Sequence, residues 1–232
     1  MIHFLHTNDL HGKLIPAKAD FIRALRRPET IHIDSGDCIK AGNLAIPLGV
    51  DPAWGLLQRA GCDIGTLGNR ETHVLESAFR KKLEGASHPL VCANCRLKSG
   101  LPFLPPHLIL ERDGARIGLF GVMVPMVTEK MSTAPLSAFL WDAPLEIAGA
   151  QVAELRPQVD VLIAITHIGF RHDQALLEKC PEIDLIFGGH SHTIIETPER
   201  ILQGGSHGRF VGSYEFEPST GLVSAQLIEL PA

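Results

Sequence analysis

Apolar and polar positions along this chain switch repeatedly between two periods, and each switch passes through a polar tip. Residues 2–6 form an apolar run that reads as a short strand and empties into Thr7-Asn8-Asp9-Leu10-His11-Gly12. Residues 17–27 place Phe21, Ile22 and Leu25 at helical spacing and stop before Pro28. Residues 30–33 read as a second strand, which ends in Asp34-Ser35-Gly36-Asp37. A helix over 53–60 then leads through Gly61 to a strand over 63–66, with the tip Leu67-Gly68-Asn69-Arg70-Glu71. The spacing of Val74, Leu75, Ala78, Phe79 and Leu83 predicts a helix over 72–84.

The second half repeats the pattern with more strand. Residues 90–92 are apolar, and the turn Asp113-Gly114 between the apolar runs 107–111 and 115–122 predicts a hairpin. Residues 123–143 are irregular, with Met123, Met126, Met131, Phe139 and Trp141 among prolines and small polar residues. They read as a packed surface loop, with a lid over a site as the alternative. A helix over 144–155 precedes a strongly apolar strand over 159–165 with the tip Thr166-His167-Ile168-Gly169. A helix over 173–180 feeds the run 183–187, which ends in Gly188-Gly189-His190-Ser191-His192. Residues 201–203, 208–216 and 222–230 read as antiparallel strands. Strand, polar tip and helix in alternation make an α/β chain, and with no repeat or linker the expectation is one domain over 1–232.

Composition narrows the function classes. A chain of 232 residues with 45% hydrophobic and 20% charged residues can bury a full core. A net charge of −5 argues against a broad nucleic-acid or anionic-membrane surface, so a small anionic substrate would need a local positive centre such as a metal. No apolar run approaches the roughly 18 residues of a membrane span, and the N-terminus passes at once into His3 and His6. Five cysteines, an odd number, fit reduced thiols, and the expected location is the cytoplasm. Cys92 and Cys95 have metal-binding spacing but no second pair, and read as packing.

The candidate chemistry lies at the tips. Asp9 and His11 are a ligand pair by chemistry, although Asp9 could simply cap a turn. Two aspartates close together after the second strand would be costly without a cation or donors to meet them; Asp37 is the better ligand, and Asp34 better placed to orient the loop or a ligand histidine. Asn69, His167, His190 and His192 occupy the other tips. In an open α/β sheet ligands collect beyond the carboxyl ends of the strands, so these tips are expected to share one site. His3, His6 and His32 lie within strands and are expected to be structural. The ligand set holds imidazole, carboxylate and amide but no thiolate, which suits Mn, Fe, Co or Zn, and seven groups exceed one tetrahedral ion.

Asp9-Leu10-His11, Gly36-Asp37, Gly68-Asn69, Thr166-His167 and Gly189-His190-Ser191-His192 resemble, in order and spacing, the five motifs of the calcineurin-like metallophosphoesterases. The run Thr7 to Gly12 is closest to the catalytic domain of bacterial 5′-nucleotidases and 2′,3′-cyclic phosphodiesterases, with secondary likenesses at Cys92-Ala93-Asn94 and over 203–212. The resemblance implies a four-layer α/β/β/α sandwich of two mixed sheets with two divalent metal ions. It assigns Asp9, His11, Asp37 and His192 to one metal and Asp37, Asn69, His167 and His190 to the other, with Asp37 shared. Two cations about 4 Å apart clamp a phosphate and activate water for in-line attack. The implied activity is phosphomonoester hydrolysis on nucleotides or small phosphorylated metabolites; the alternatives are a cyclic-nucleotide or phosphodiester hydrolase and a metal-binding scaffold without catalysis. Two departures stand out. The usual histidine after the motif asparagine is Arg70 and the usual aspartate three residues on is His73, so these two are the candidate catalytic side chains. A base-stacking second domain is not evident in these 232 residues, which favours a small, loosely selected substrate.

Overall fold

The apolar runs build two mixed sheets that share one face each. The computed structural model describes residues 1–232. In the first sheet β1 (Ile2–Thr7), β2 (Thr30–Asp34), β3 (Ile64–Thr66) and β4 (Leu90–Val91) run parallel, and β12 (Phe210–Glu217) and β13 (Gly221–Glu229) add antiparallel on the β1 side. In the second, β7 (Ala115–Met123), β9 (Val161–His167), β10 (Leu185–Phe187) and β11 (Ile201–Leu202) are parallel, with β6 (His107–Arg112) antiparallel at the β7 edge. A small antiparallel pair, β5 (Cys95–Leu97) with β8 (Phe139–Trp141), stands apart.

Strand periodicity decides what faces what. Phe4, Ile31, Ile33 and Ile64 of the first sheet meet Ile117, Leu119, Ile163 and Phe187 of the second, forming the central layer. On the outer side of the first sheet, Leu5 packs with helices α1 (Pro16–Ala24), α2 (Pro52–Ala60) and α3 (Glu76–Leu83) through Ile22, Trp54, Leu57 and Phe79. On the outer side of the second, Phe120, Leu162 and Ala164 pack with α4 (Pro144–Leu155) and α5 (Phe170–Lys179). The result is the four-layer α/β/β/α sandwich, held mainly by fully buried Leu, Ile and Phe side chains at about 1.5–3 kcal/mol each. No helix is long and apolar enough to cross a membrane.

Local chemistry explains most element ends. Asp51 accepts the Ala53 N–H at 3.0 Å and Pro52 opens α2, which closes on Gly61 in the left-handed conformation. Asp113 and Gly114, both at positive φ, make the tight turn of the β6–β7 hairpin.

Three expectations are corrected. The helix predicted over 72–84 begins only at Glu76. The Thr72 hydroxyl donates to Asn69 O, the His73 ring accepts the Leu75 N–H, and the Lys82 amine takes the carbonyls of Arg70 and Thr72, so groups that would nucleate the helix are already committed. Residues 201–202 pair parallel to β10, because the chain crosses back to the second sheet before it reaches β12. The irregular stretch 123–143 contains β8, whose Phe139 and Trp141 are buried, while Met131 is exposed. A smaller difference concerns α1: Ala19 and Ile22 are its buried residues and Phe21 faces solvent.

The cysteines are packed as expected. All five are free, and Cys92 and Cys95 are buried with their thiols pushed up by burial.

Candidate metal centre

The carboxyl ends of β1, β2, β3, β9 and β10 deliver their tips to one edge of the sandwich. Asp9, His11, Asp37, His190 and His192 all adopt positive φ, a conformation uncommon for residues with a Cβ. Such backbone persists only where surrounding bonds fix it, and it clusters at functional sites. Here the bonds are visible: Asp9 N–H donates to Gly36 O at 3.0 Å, His11 N–H to Asp37 O at 2.8 Å and Gly12 N–H to Cys38 O at 2.8 Å. Gly36 and Gly68 let two of the tips touch backbone to backbone, since a Cβ on Gly36 would lie 2.3 Å from Gly68 N and one on Gly68 2.2 Å from Asp37 N.

All seven expected ligands converge. His192 Nε2 lies 3.0 Å from His11 Nε2 and 3.3 Å from Asp9 Oδ1. His167 Nε2 lies 3.6 Å from Asp37 Oδ1, 3.9 Å from Asp9 Oδ1 and 3.3 Å from Asn69 Oδ1, which is itself 3.1 Å from His190 Nδ1. Two groups of metal-ligating atoms result: Asp9 with His11 and His192, and Asp9 with Asp37 and His167. Asp9 thus belongs to both groups, whereas the family resemblance gives the shared position to Asp37.

The donor chemistry fits cations. Asp9 Oδ1 is buried with no hydrogen-bond partner, and an orphaned carboxylate oxygen in a dry site is costly unless a positive centre meets it. The other oxygen is anchored by Asn8 Nδ2 at 2.8 Å and the His190 N–H at 2.9 Å. His167 Nδ1 donates to Ser35 O at 2.7 Å, which leaves Nε2 as a lone pair aimed at Asp9, Asp37 and Asn69, the arrangement that orients a metal-ligating imidazole. His11 is pushed down to about 4 by burial and then by the charge of Arg70, and His190 is lowered by burial and by His167, so both imidazoles present lone pairs at neutral pH. His192 is raised by the neighbouring Asp9 carboxylate, whose Oδ1 lies 3.3 Å from its Nε2. Between the facing nitrogens of His11 and His192 there must be a proton or a metal ion.

Several residues that hold the site went unread in the sequence. The Glu71 carboxylate is fully buried and accepts four backbone N–H groups: Asp37 and Gly68 at 2.8 Å, Cys38 at 2.9 Å and Ile39 at 3.2 Å. It ties the tip of β2 to the tip of β3. Lys82 is buried too, its amine donating to Gly42 O, Asn43 O, Arg70 O and Thr72 O at 2.8–3.0 Å. Gln203 clasps the His190–His192 loop through Ser191 Oγ, the Thr193 N–H and Gly189 O, and is met by buried Asp173. His207, exposed and at positive φ, stacks on His11 with ring centroids 4.8 Å apart. The adjacency of Glu71 to Asn69 and the likeness over 203–212 were the only signals for these.

The two candidate catalytic residues separate. Arg70 belongs to the site: its N–H donates to Asp37 Oδ1 at 2.7 Å, its Nε is 3.9 Å from Asp37 Oδ2 and its Nη1 donates to Lys40 O at 3.0 Å. His73 sits in the loop before α3, outside the helix predicted over 72–84, with Nδ1 accepting the Leu75 N–H at 3.0 Å. Asp34 accepts the Gly36 N–H and the Thr7 hydroxyl, as a loop-orienting carboxylate, and is pushed up to about 8 by burial. His3, His6 and His32 are buried and bonded to the hydroxyls of Thr30, Ser35 and Thr7.

No family model matches the chain. It is 27% identical over 264 residues to the trifunctional nucleotide phosphoesterase protein YfkN of Bacillus subtilis, covering 90% of this chain and 17% of that one. To the 5′-nucleotidase of Vibrio cholerae it is 27% identical, covering 97% of this chain and 50% of that one. The solved calcineurin-like phosphoesterase YfkN from Bacillus subtilis superposes with a TM-score of 0.74 over 99% of this chain and 90% of that one, at 19% identity. The chain spans half or less of the length of these curated relatives. The chain is thus similar in sequence to nucleotide phosphoesterases and 5′-nucleotidases, and it shares the fold of a solved calcineurin-like phosphoesterase.

Proposed function

We propose that the chain is a metal-dependent hydrolase of phosphoric esters that carries two divalent ions and acts as a phosphomonoesterase on small phosphorylated metabolites or nucleotides. The observation that carries this reading is the buried, unpartnered Asp9 Oδ1 facing imidazole nitrogens from three tips. When bound, the metal ions supply Lewis-acid charge for the phosphoryl oxygens and for the attacking water. Asp9, His11, Asp37 and His192 would hold one ion, and Asp37, Asn69, His167 and His190 the other, as the family resemblance assigns them. Arg70 lies beside Asp37, and its guanidinium can form a bidentate contact with phosphate oxygens and stabilise the charge that develops on them. Arg70 cannot give the leaving oxygen its proton; His73, three residues further on, is the candidate for that role, and the dependence of rate on leaving group tests it.

Two measurements test the proposal. Elemental analysis of metal-reconstituted protein is expected to give two ions per chain, with Asp37→Asn weakening both sites and His11→Ala chiefly one; a wild-type stoichiometry of one or none refutes the two-ion centre. A panel of nucleoside monophosphates, cyclic nucleotides, sugar phosphates and diesters is expected to show monoester turnover. No turnover with both ions bound would replace the enzyme by a metal-binding scaffold.

A further inference from the structure

A small, mainly apolar cavity of about 150 Å³ lies one hydrogen-bonded side chain away from the metal centre. Its walls are Leu44, His73, Val74, Met126, Val127 and Trp141. It is joined to the centre through Asn43, which also lines it and whose Oδ1 accepts from Asn69 Nδ2 at 2.9 Å. Asn69 in turn places Oδ1 within 3.1–3.3 Å of His190 and His167. The two hydroxyls in the lining are committed elsewhere: Thr72 Oγ1 donates to Asn69 O, and Ser137 Oγ is bonded to both the N–H and the carbonyl of Phe139. The cavity therefore offers mainly carbon surface. Leu44, 82% exposed, lines it together with buried Val127 and Trp141.

We propose that this cavity receives the leaving group of the substrate, and that the preferred substrates are phosphate monoesters carrying a single planar ring on the leaving oxygen. The inference rests on the hydrolase reading and narrows it. Volume is the first argument: a cavity of about 150 Å³ lined by apolar side chains takes a benzene-sized ring, whereas larger ligands occupy pockets of roughly 300–1,000 Å³. A nucleoside, with a sugar between phosphate and base, does not fit inside. Polarity is the second: a sugar phosphate would bring hydroxyls to a wall whose own hydroxyls are already bonded, and each unmatched group would lose its hydrogen bonds to water. A phenyl ring loses nothing there and covers Leu44. The hydrolysis itself balances simply: water adds its oxygen to phosphorus, the P–O bond to the ring oxygen breaks, and the phenolate that leaves takes a proton or departs charged.

The test compares phenyl phosphate with methyl phosphate, which reaches the metal centre but not the cavity, using metal-loaded wild type and the filling variant Val127→Phe. Each variant-to-wild-type ratio is taken within one substrate, so the intrinsic difference between the leaving groups cancels. The expected result is a fall in kcat/KM of about 10²-fold for phenyl phosphate, with methyl phosphate changed by about 2-fold or less. Calorimetry with phenol gives a readout independent of turnover: phenol should bind wild type and not the filled variant. Val74→Phe, also in the lining, serves if Val127→Phe does not fold. Absence of phenol binding to wild type, or equal losses on both esters, overturns the proposal while leaving the hydrolase reading intact. Phenol binding with neither ester hydrolysed overturns the hydrolase reading, and the leaving-group role with it.

Discussion

Replacing Glu71 by glutamine tests whether the metal centre depends on a group that never touches the metal. In the folded protein both carboxylate oxygens of Glu71 are occupied, Oε1 by the N–H groups of Cys38 and Ile39 and Oε2 by those of Asp37 and Gly68. Burial and the charge of Asp37 push its carboxyl up, and the N–H groups of Ile39 and Asp37 pull it back. A glutamine has the same shape but one acceptor oxygen, so its amide N–H₂ must face two backbone N–H groups. Two buried donors left without acceptors cost about 1–3 kcal/mol each, or roughly 2–6 kcal/mol together. For a chain of this length about 2–4 °C of Tm goes with each kcal/mol, so the expected loss is on the order of 5–20 °C. The loss should be accompanied by weaker metal binding, because either orientation of the amide releases backbone N–H groups of the 37–39 turn, which presents Asp37 at positive φ. Thermal unfolding by circular dichroism, with and without added metal, measures both parts. A Glu71→Gln protein with the wild-type Tm and undiminished metal stabilisation would show that the clasp is dispensable and that the tips are held by their mutual backbone bonds alone.

Arg70→Ala should lower kcat/KM by about 10²-fold for p-nitrophenyl and alkyl phosphates alike, since it removes charge from the phosphoryl oxygens and not from the leaving group. His73→Ala should slow alkyl phosphates by about 10²-fold and spare p-nitrophenyl phosphate, whose leaving group needs no proton; equal, small effects would remove His73 from the mechanism. His32 is fully buried and pushed down to about 3, first by burial, so below the unfolded value of about 6.5 the unfolded chain binds a proton that the folded chain refuses, and this part of the stability is lost as pH falls. Buried Asp34 and Asp173, raised to about 8 and about 7, act with the opposite sign, so the term is read from a difference: the urea-unfolding gap between wild type and His32→Asn should shift against wild type by about 1.4 kcal/mol per pH unit between pH 6.5 and 4, and a constant gap would mean that His32 is charged in the folded protein.

What could be read from the sequence and what could not divides along a physical line. The candidate ligands were legible because each follows a buried strand: such a strand ends at the sheet edge, and the polar residues after it collect there. The same logic gave β1, β2, β7, β9 and α4 and the burial of His6 and His32. It failed for α3, where 3.6-residue spacing continues back to Thr72 but the backbone is diverted by the hydroxyl of Thr72, the ring of His73 and the amine of Lys82. It failed again for β11, since alternation marks a strand but does not say which sheet it joins.

Glu71 and Lys82 show why charged residues were the hardest to read. A lone glutamate or lysine between polar neighbours is normally solvated, and nothing in the local pattern separates that case from a buried one. Here their partners are backbone groups far away in sequence: the N–H groups of residues 37–39 and 68 for Glu71, and the carbonyls of residues 42, 43, 70 and 72 for Lys82. Backbone groups carry no residue identity, so no spacing rule can announce them. The two side chains meet the same segments from opposite sides of the charge balance, one gathering N–H donors and the other carbonyl acceptors around the tips of β2 and β3. Lys82 also holds Gly42 and Asn43, and with them the side of the apolar cavity that carries Leu44. Metal geometry and leaving-group fit are therefore coupled through one ammonium group, and Lys82→Met should disturb both, with a larger loss of phenyl phosphate turnover than of methyl phosphate turnover. Steady-state kinetics on the two esters together with metal stoichiometry decide it: an equal loss on both esters with full metal occupancy would break the link argued from these four carbonyls.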